Sequence, residues 1–195
     1  MSRSPTARLF VAVDTPWDVR EQLAAWARMA LRDTSRRSGS PPRVLDAQLL
    51  HLTLYFLGNR PAEEIETIMA QLAVCDETVG ELSIGAPLWL PSRRPRTLAV
   101  ELRDEHGRLA GVRQSVVDTL GEIGEPQPAG RPPAKHRHFR PHITVARLRS
   151  GTAPRERTLS PTPALSFTPS ELVLYRSWLS PEGASYEALA SHPIG

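Results

Sequence analysis

The sequence predicts an α+β fold with antiparallel or mixed sheets. Three stretches show helical spacing of apolar residues, and they are interspersed with strand pairs joined by short turns, an order that favours this class. Two of the predicted strands carry related phrases, His-Leu-Thr-Leu at 51–54 and His-Ile-Thr-Val at 142–145. Each phrase follows a helix and a basic loop, which suggests two halves related by an internal pseudo-twofold axis.

The first half is predicted to hold two strands and two helices. Residues 16–31 show apolar residues at helical spacing, and Pro16 suits a first turn. A run rich in Gly, Pro and Ser after this helix predicts a loop. Gly58 and Asn59 are expected to end the first motif strand. The elements are a strand at 9–13, a helix at 16–31, a polar loop at 33–43, the first motif strand at 49–57 and a helix at 61–74.

The second half is predicted to add one helix and the remaining strands. The helix has Leu109, Val112, Val116 and Leu120 on its inner side. Prolines interrupt the pattern twice, so the segments that contain them read as irregular links. The elements are strands at 82–90 and 97–102 joined by a turn at 91–95, a helix at 104–121, an irregular segment at 122–141, the second motif strand at 139–148, a link at 152–163 and closing strands at 172–179 and 185–190.

The two repeated phrases place four polar side chains on strand faces. Residues i and i+2 of a strand point to the same side, so His51 shares a face with Thr53, and His142 shares one with Thr144. The aliphatic residues between them point into the core. If the two strands meet, two imidazoles and two hydroxyls surround one small space. Such a set provides an acid, a base and two hydrogen-bond donors for a single anionic group.

Two imidazoles and two hydroxyls placed in this way suit hydrolysis of a phosphodiester without a metal. A base must take a proton from water and an acid must protonate the departing alkoxide, and histidine does either near neutrality. The threonines can donate to non-bridging oxygens, where charge accumulates in the transition state. Arg140 lies two residues before His142 and is expected to face the same side, unless Pro141 breaks the alternation. A cyclic phosphodiester fits well because it is strained and its leaving oxygen stays tethered.

The aromatic residues near the motifs predict a stacking surface for a terminal base. By alternation Tyr55 shares the side of His51 and Thr53, whereas Phe56 is expected in the core. Phe139, near the second motif, is expected either to stack on a base or to pack. The predicted substrate-binding residues are thus Tyr55 and Phe139 together with Arg140 and the two threonines.

Composition places few limits on the function. The 195 residues carry a net charge of +3, and Lys135 is the only lysine. Arginine recognises phosphate well, but the same bias arises from base composition in a GC-rich genome. The lone Cys75 cannot form an intramolecular disulfide and reads as a buried thiol. No apolar run approaches the roughly 20 residues of a membrane span, and residues 1–8 lack a leader's apolar segment, so we expect a cytoplasmic protein without membrane association.

Two other classes of function compete with the phosphodiesterase. His136, His138 and His142 could converge on zinc, but Arg137 and Arg140 interleave with them and repel a cation. A non-catalytic protein could keep the cleft to capture RNA ends or nucleotides, although a binder has no need for two titratable groups. We therefore expect no metal site.

Four segments resemble the 2H phosphoesterases, and more narrowly the bacterial and archaeal RNA 2′,3′-cyclic phosphodiesterases, once called 2′-5′ RNA ligases. They are RLFVAV at 8–13, HLTLYFLG at 51–58, RPHITVARL at 140–148 and LVLYRSWLSPEGASYEAL at 172–189. The resemblance implies a single domain over 1–195, built of two α+β lobes whose motif strands line a central cleft.

The resemblance also implies a reaction and its participants. A terminal 2′,3′-cyclic phosphate of RNA is opened to a 2′-phosphomonoester, with His51 as proton donor and His142 as proton acceptor. No metal or nucleotide cofactor is implied, and we expect a monomer. Free cyclic nucleotides or an ADP-ribose-derived cyclic phosphate remain alternative substrates, because the motifs would be the same.

Overall fold

One antiparallel sheet of nine strands and three helices form the framework of the protein within the residues that the structure describes. The computed structural model describes residues 5–35, 42–73, 75, 78–121, 139–149, 152–154, 157–180 and 183–194. The strands are β1 (Thr6–Val13), β2 (Arg43–Val44), β3 (Leu52–Pro61), β4 (Leu82–Leu90), β5 (Thr97–Arg103), β6 (His142–Arg147), β7 (Ser166–Phe167), β8 (Glu171–Ser180) and β9 (Gly183–Pro193). The helices are α1 (Trp17–Ser35), α2 (Ile65–Leu72) and α3 (Arg108–Leu120).

The sheet divides into two lobes that meet at the motif strands. Its order is β7-β4-β5-β6-β3-β1-β8-β9, and β2 pairs with β6. One lobe therefore consists of β3, β1, β8 and β9, and the other of β6, β5, β4 and β7 with β2. The lobes join where Leu52 of β3 pairs with Ile143 of β6. This junction brings the two His-x-Thr-x phrases side by side.

The two lobes repeat the same backbone irregularity. In each lobe, the motif threonine pairs with an alanine of the neighbouring strand, and the residue after the threonine has no partner in the strand register. The pairs are Ala12 with Thr53 and Ala99 with Thr144. The residues without a partner in the register, Leu54 and Val145, mark β-bulges, which reverse the inward and outward alternation beyond them. The pseudo-twofold relation suggested by the repeated phrase is thus present in the strand register.

Most predicted strands agree with the structure, but the first motif strand is displaced. The strand begins at Leu52, because Ala47–Leu49 form a 3₁₀ turn instead. It continues through Gly58 to Pro61, since Gly58 adopts a φ of 75° beside a second register shift and does not end the strand. The strand expected at 139–148 is shorter, His142–Arg147.

The predicted helices exist with shifted ends. α1 extends to Ser35, beyond the predicted end at 31. α2 begins only at Ile65, because Ala62–Glu64 form a 3₁₀ turn. α3 begins at Arg108, since residues 104–107 form a turn in which the Asp104 carboxylate accepts a 2.7 Å hydrogen bond from the Leu109 N–H. Most of the irregular segment predicted at 122–141 and part of the loop at 33–43 lie outside the described residues.

A continuous hydrophobic core stabilises both lobes. The inner residues predicted for α3, among them Val112 and Val116, are fully buried, and Cys75 is buried as expected. Truncation of a leucine in such a core costs about 2–5 kcal/mol. Among the described residues, no helix is both long and apolar enough to cross a membrane.

Candidate active site

A cleft of about 590 Å³ lies between the lobes, and both motifs line it. His51 and Thr53 come from β3 and the residue before it, and His142 and Thr144 come from β6. The structure therefore brings together the four polar residues that the repeated phrase predicted. Leu52 and Ile143, between them, are buried in the core.

The strand register arranges these four residues as a checkerboard. Because Leu52 faces Ile143 in an antiparallel pair, His51 falls opposite Thr144, and Thr53 falls opposite His142. In a paired ladder, residues directly opposite each other have Cβ atoms about 4.5–5.5 Å apart and diagonal neighbours stand about 7–8 Å apart. His51 and His142 are diagonal neighbours, and they are close enough to interact electrostatically. That diagonal leaves room for one tetrahedral anion, which both imidazoles and both hydroxyls can contact.

Both imidazoles are oriented by the same backbone interaction. The Nδ1 atom of His51 lies 2.8 Å from the carbonyl oxygen of Leu49, and Nδ1 of His142 lies 2.7 Å from that of Arg140. A carbonyl only accepts, so each Nδ1 carries the hydrogen and donates it. Each histidine thus keeps Nε2 for a ligand, as an acceptor when neutral and as a donor when protonated.

Three aromatic rings surround His51, and we call them the aromatic cage (Phe10, Tyr175 and Tyr186). Their centroids lie 4.8, 6.0 and 5.0 Å from that of the imidazole, and Tyr186 meets it edge-on at 90°. Burial lowers the pKa of His51 from 6.5 to about 4, and the positive charges of Arg20 and Arg147 act in the same direction. His51 is therefore neutral in the free protein at neutral pH.

His142 has different surroundings, with charged side chains near it in place of aromatic rings. Among the described residues no aromatic ring contacts His142, and its partner across the sheet is Glu101. Glu101 accepts a 3.4 Å hydrogen bond from Arg140. Arg140 lines the cleft as predicted, with about half of its side chain exposed, so the intervening Pro141 does not turn it away.

The charge of the cleft favours an anionic ligand. Four arginines line it, and no aspartate or glutamate does among the residues that the structure describes. The arginines are Arg8, Arg113, Arg140 and Arg147. Guanidinium groups bind phosphate oxygens through paired, charge-assisted hydrogen bonds.

The prediction that Tyr55 faces the cleft is wrong. Tyr55 is buried in the core with 7% of its surface exposed, whereas Phe56, expected in the core, is 55% exposed and lines the cleft. The bulge at Leu54 reverses the alternation of β3 immediately after Thr53. Simple period-two reasoning therefore fails at the residue that follows the motif.

Phe139 lies at the cleft, partly packed against the core. The guanidinium carbon of Arg113 lies 5.1 Å from the centre of its ring, within the range of a cation–π interaction. The packing expected as one alternative for this ring is thus observed in part, and stacking on a base stays a prediction.

Sequence reasoning missed several residues of the cleft. Arg147 follows Thr144 by three positions and faces the cleft because of the bulge at Val145. Arg8 and Phe10 alternate along β1, a signal that the sequence does contain. Tyr186 comes from β9 and reaches His51 only through the pairing of distant strands, which no local pattern indicates.

The zinc hypothesis receives no support from the described residues. They contain no group of three His, Cys, Asp or Glu side chains that could hold a metal ion. His136 and His138 lie outside the part of the chain that the structure describes.

The fold and the paired motifs define a known class. The chain belongs to the 2′-5′ RNA ligase superfamily, whose family model matches residues 16–178. It is 34% identical to the RNA 2′,3′-cyclic phosphodiesterase of Thermus thermophilus over 93% of this chain and 87% of that one. It is 30% identical to the RNA 2′,3′-cyclic phosphodiesterase of Escherichia coli, with 89% of each chain covered.

Solved structures agree with this assignment. The crystal structure of TT0787 of Thermus thermophilus matches with a TM-score of 0.73 and 29% identity, over 96% of this chain and 97% of that one. Escherichia coli LigT in complex with 3′-AMP matches with a TM-score of 0.78 and 25% identity, over 97% of this chain and 99% of that one. The two-lobed α+β architecture expected from the resemblance is confirmed.

Proposed function

We infer that this protein is an RNA 2′,3′-cyclic phosphodiesterase, which opens a terminal 2′,3′-cyclic phosphate to a 2′-phosphomonoester. The observation that carries this inference is the meeting of both His-x-Thr-x phrases in one cleft lined by arginine. The activity named for the Thermus thermophilus and Escherichia coli relatives supports it. Because a single chain supplies both motifs, we propose that a monomer is sufficient, with the two lobes acting as one domain.

The reaction needs one proton to be removed from the attacking water and one to be given to the departing O3′. A water oxygen attacks phosphorus, the bond from phosphorus to O3′ breaks, and the water loses a proton to one imidazole while the other imidazole protonates O3′. The products are a 2′-phosphate and a free 3′-hydroxyl. Each positioned acid or base contributes typically about 10²–10⁴-fold to the rate. The diagonal placement of the histidines suits an in-line displacement, with attack and departure on opposite sides of phosphorus.

The threonines and arginines stabilise the charge of the transition state. Thr53 and Thr144 each lie opposite a histidine, where their hydroxyls can donate to non-bridging oxygens. Arg140 and Arg147 bring positive charge to the same wall. Donors fixed in place before the reaction need no reorganisation when charge develops, so each is worth a few kcal/mol. This part of the catalysis requires no metal or nucleotide cofactor.

We propose that His51 is the acid and His142 the base, as the family resemblance implies. His51 must then gain a proton when substrate binds, although its pKa in the free protein is about 4. A unit negative charge about 4 Å away contributes about 4 kcal/mol at an effective dielectric constant near 20. Raising the pKa from 4 to 6.5 takes about 3 kcal/mol. One bound phosphodiester anion is therefore sufficient to return the pKa of His51 to about its ordinary value, so that the protonated form is populated near neutral pH.

The decisive experiment compares three alanine variants on an RNA oligonucleotide that ends in a 2′,3′-cyclic phosphate. We expect His51→Ala and His142→Ala to abolish turnover while their circular dichroism stays unchanged. His106→Ala is the matched control, because His106 is exposed and does not line the cleft. Phosphorus NMR of the product identifies the bond that breaks, and we expect the 2′-phosphomonoester. Normal turnover by either cleft variant would contradict the paired-histidine mechanism.

A further inference from the structure

The turn between β4 and β5 is unusually rich in exposed arginine. Residues 91–96 read Pro-Ser-Arg-Arg-Pro-Arg, and we call them the arginine turn. Arg93, Arg94 and Arg96 are all exposed, whereas Pro95 between them is buried. The turn follows directly after Leu90, which lines the cleft. The arginine turn therefore lies on the rim of the candidate active site.

Strand register places the arginine turn beside the cationic wall of the cleft. Thr97, the residue after the turn, pairs with Arg147 on one side and with Leu90 on the other. The Leu148 N–H also donates a 2.8 Å hydrogen bond to the carbonyl of Arg96. Because Arg147 lines the cleft, its positive charge lies beside the end of the arginine turn.

The turn is held in place by hydrogen bonds outside the cleft. The guanidinium of Arg157 donates a 2.7 Å hydrogen bond to the carbonyl of Ser92, and the indole N–H of Trp89 donates to the carbonyl of Arg157 at 3.2 Å. Across the turn, the Arg96 N–H donates to the carbonyl of Leu90 at 2.8 Å. The backbone that presents the arginines is thus ordered before any ligand arrives.

No carboxylate lies within the arginine turn, and Glu101, towards the other end of β5, pairs with Arg140 of the cleft. The chain contains no aspartate or glutamate at 82–100 or at 139–149. Within the part of the chain that the structure describes, Arg93, Arg94 and Arg96 form no ion pair. A row of exposed guanidinium groups without an ion pair among the described residues attracts a polyanion, and arginine binds phosphate through paired, charge-assisted hydrogen bonds.

We propose that the arginine turn binds the backbone phosphates of the RNA strand upstream of its cyclic phosphate end. This rests on the proposed function and gives an RNA strand a contact that a free cyclic mononucleotide cannot make. The cleft, at about 590 Å³, is of ordinary size for a small ligand. A strand with its end in the cleft must leave over the rim, and the rim at Leu90 carries the arginines.

The test removes two of the arginines and compares two substrates. The variant is Arg93→Gln with Arg94→Gln, and the control is Arg28→Gln with Arg32→Gln, which removes equal charge from exposed positions of α1. For an oligonucleotide with a 2′,3′-cyclic phosphate end, we expect kcat/KM to fall about two- to fivefold per arginine. The slope of log kcat/KM against log salt should become shallower by about 0.7 for each backbone phosphate that the variant no longer binds.

Turnover of 2′,3′-cyclic AMP should be the same in the variant, the control and the unaltered protein. An equal loss on both substrates, or no loss on the oligonucleotide, would overturn the proposal while leaving the proposed function intact. If the unaltered protein hydrolyses neither substrate, the proposed function is refuted, and this inference with it.

Discussion

The aromatic cage makes the pKa of His51 sensitive to a single substitution. Tyr186 closes the cage on the side of the cleft, which it lines, and its ring meets the imidazole edge-on. Tyr186→Ala removes that ring and admits water to one side of His51. Phe10 and Tyr175 still cover the other sides. We therefore expect a partial return of the pKa of His51 towards its ordinary value.

The size of the effect follows from the surroundings of the imidazole. A fall in pKa from 6.5 to about 4 corresponds to about 3 kcal/mol against the protonated ring. This net figure also contains charge effects and the opposing hydrogen bond to Leu49, so removal of one of the three rings restores at most about 1 kcal/mol and returns the pKa only part of the way towards 6.5. The charges of Arg20, Arg147 and His142 remain and continue to lower it.

The measurement is an NMR titration of selectively labelled histidine, with His51 assigned by its loss in His51→Gln. Tyr186→Phe is the matched control, since it keeps the ring and removes only the hydroxyl, and its His51 should titrate as in the unaltered protein. An unchanged pKa in Tyr186→Ala would refute the role of burial by the cage. An equal rise in both variants would assign the effect to the hydroxyl.

Three further outcomes follow from the site. Thr53→Val or Thr144→Val should each raise the barrier for hydrolysis of a cyclic phosphate by about 2–4 kcal/mol, in line with loss of one oxyanion donor. A loss of turnover below about threefold in steady-state kinetics would contradict this. EDTA should leave the rate unchanged, and inactivation followed by recovery with zinc would revive a metal mechanism. Stability should rise with pH between about 4 and 6.5, because the unfolded chain binds a proton there that folded His51 does not. Urea unfolding at several pH values should show a smaller rise for His51→Gln, and an equal rise would contradict the low pKa.

The repeated phrase made the centre of the site predictable. His51 and His142 could be placed together because the same polar and aliphatic alternation occurs twice, and two buried strand faces of the same kind tend to pack in one core. Arg140 followed from the same alternation. The division of acid and base between the histidines, and the cytoplasmic location, stay predictions.

The errors occur where pairing between distant strands overrides local pattern. Tyr55 and Phe56 exchange their expected places because the bulge at Leu54 depends on how β3 pairs with β1. The aromatic cage unites residues of β1, β8 and β9 around a histidine beside β3. A bulge or a long-range interaction of this kind leaves no periodic signal within one segment.

The unequal lobes have a consequence for the orientation of the substrate. A twofold-symmetric pair of histidines and threonines would, by itself, bind a 2′,3′-cyclic phosphate in either of two orientations. It could then release either O2′ or O3′ of the ribose. One wall is mainly aromatic, with Phe10, Phe56 and Tyr186 beside a single arginine, Arg8. The facing wall supplies Arg140 and Arg147 beside a single aromatic ring, Phe139. A nucleotide, which is flat and apolar at one end and charged at the other, cannot exchange these walls at equal energy. We therefore expect the walls, together with the unequal surroundings of His51 and His142, to decide the regiochemistry of ring opening.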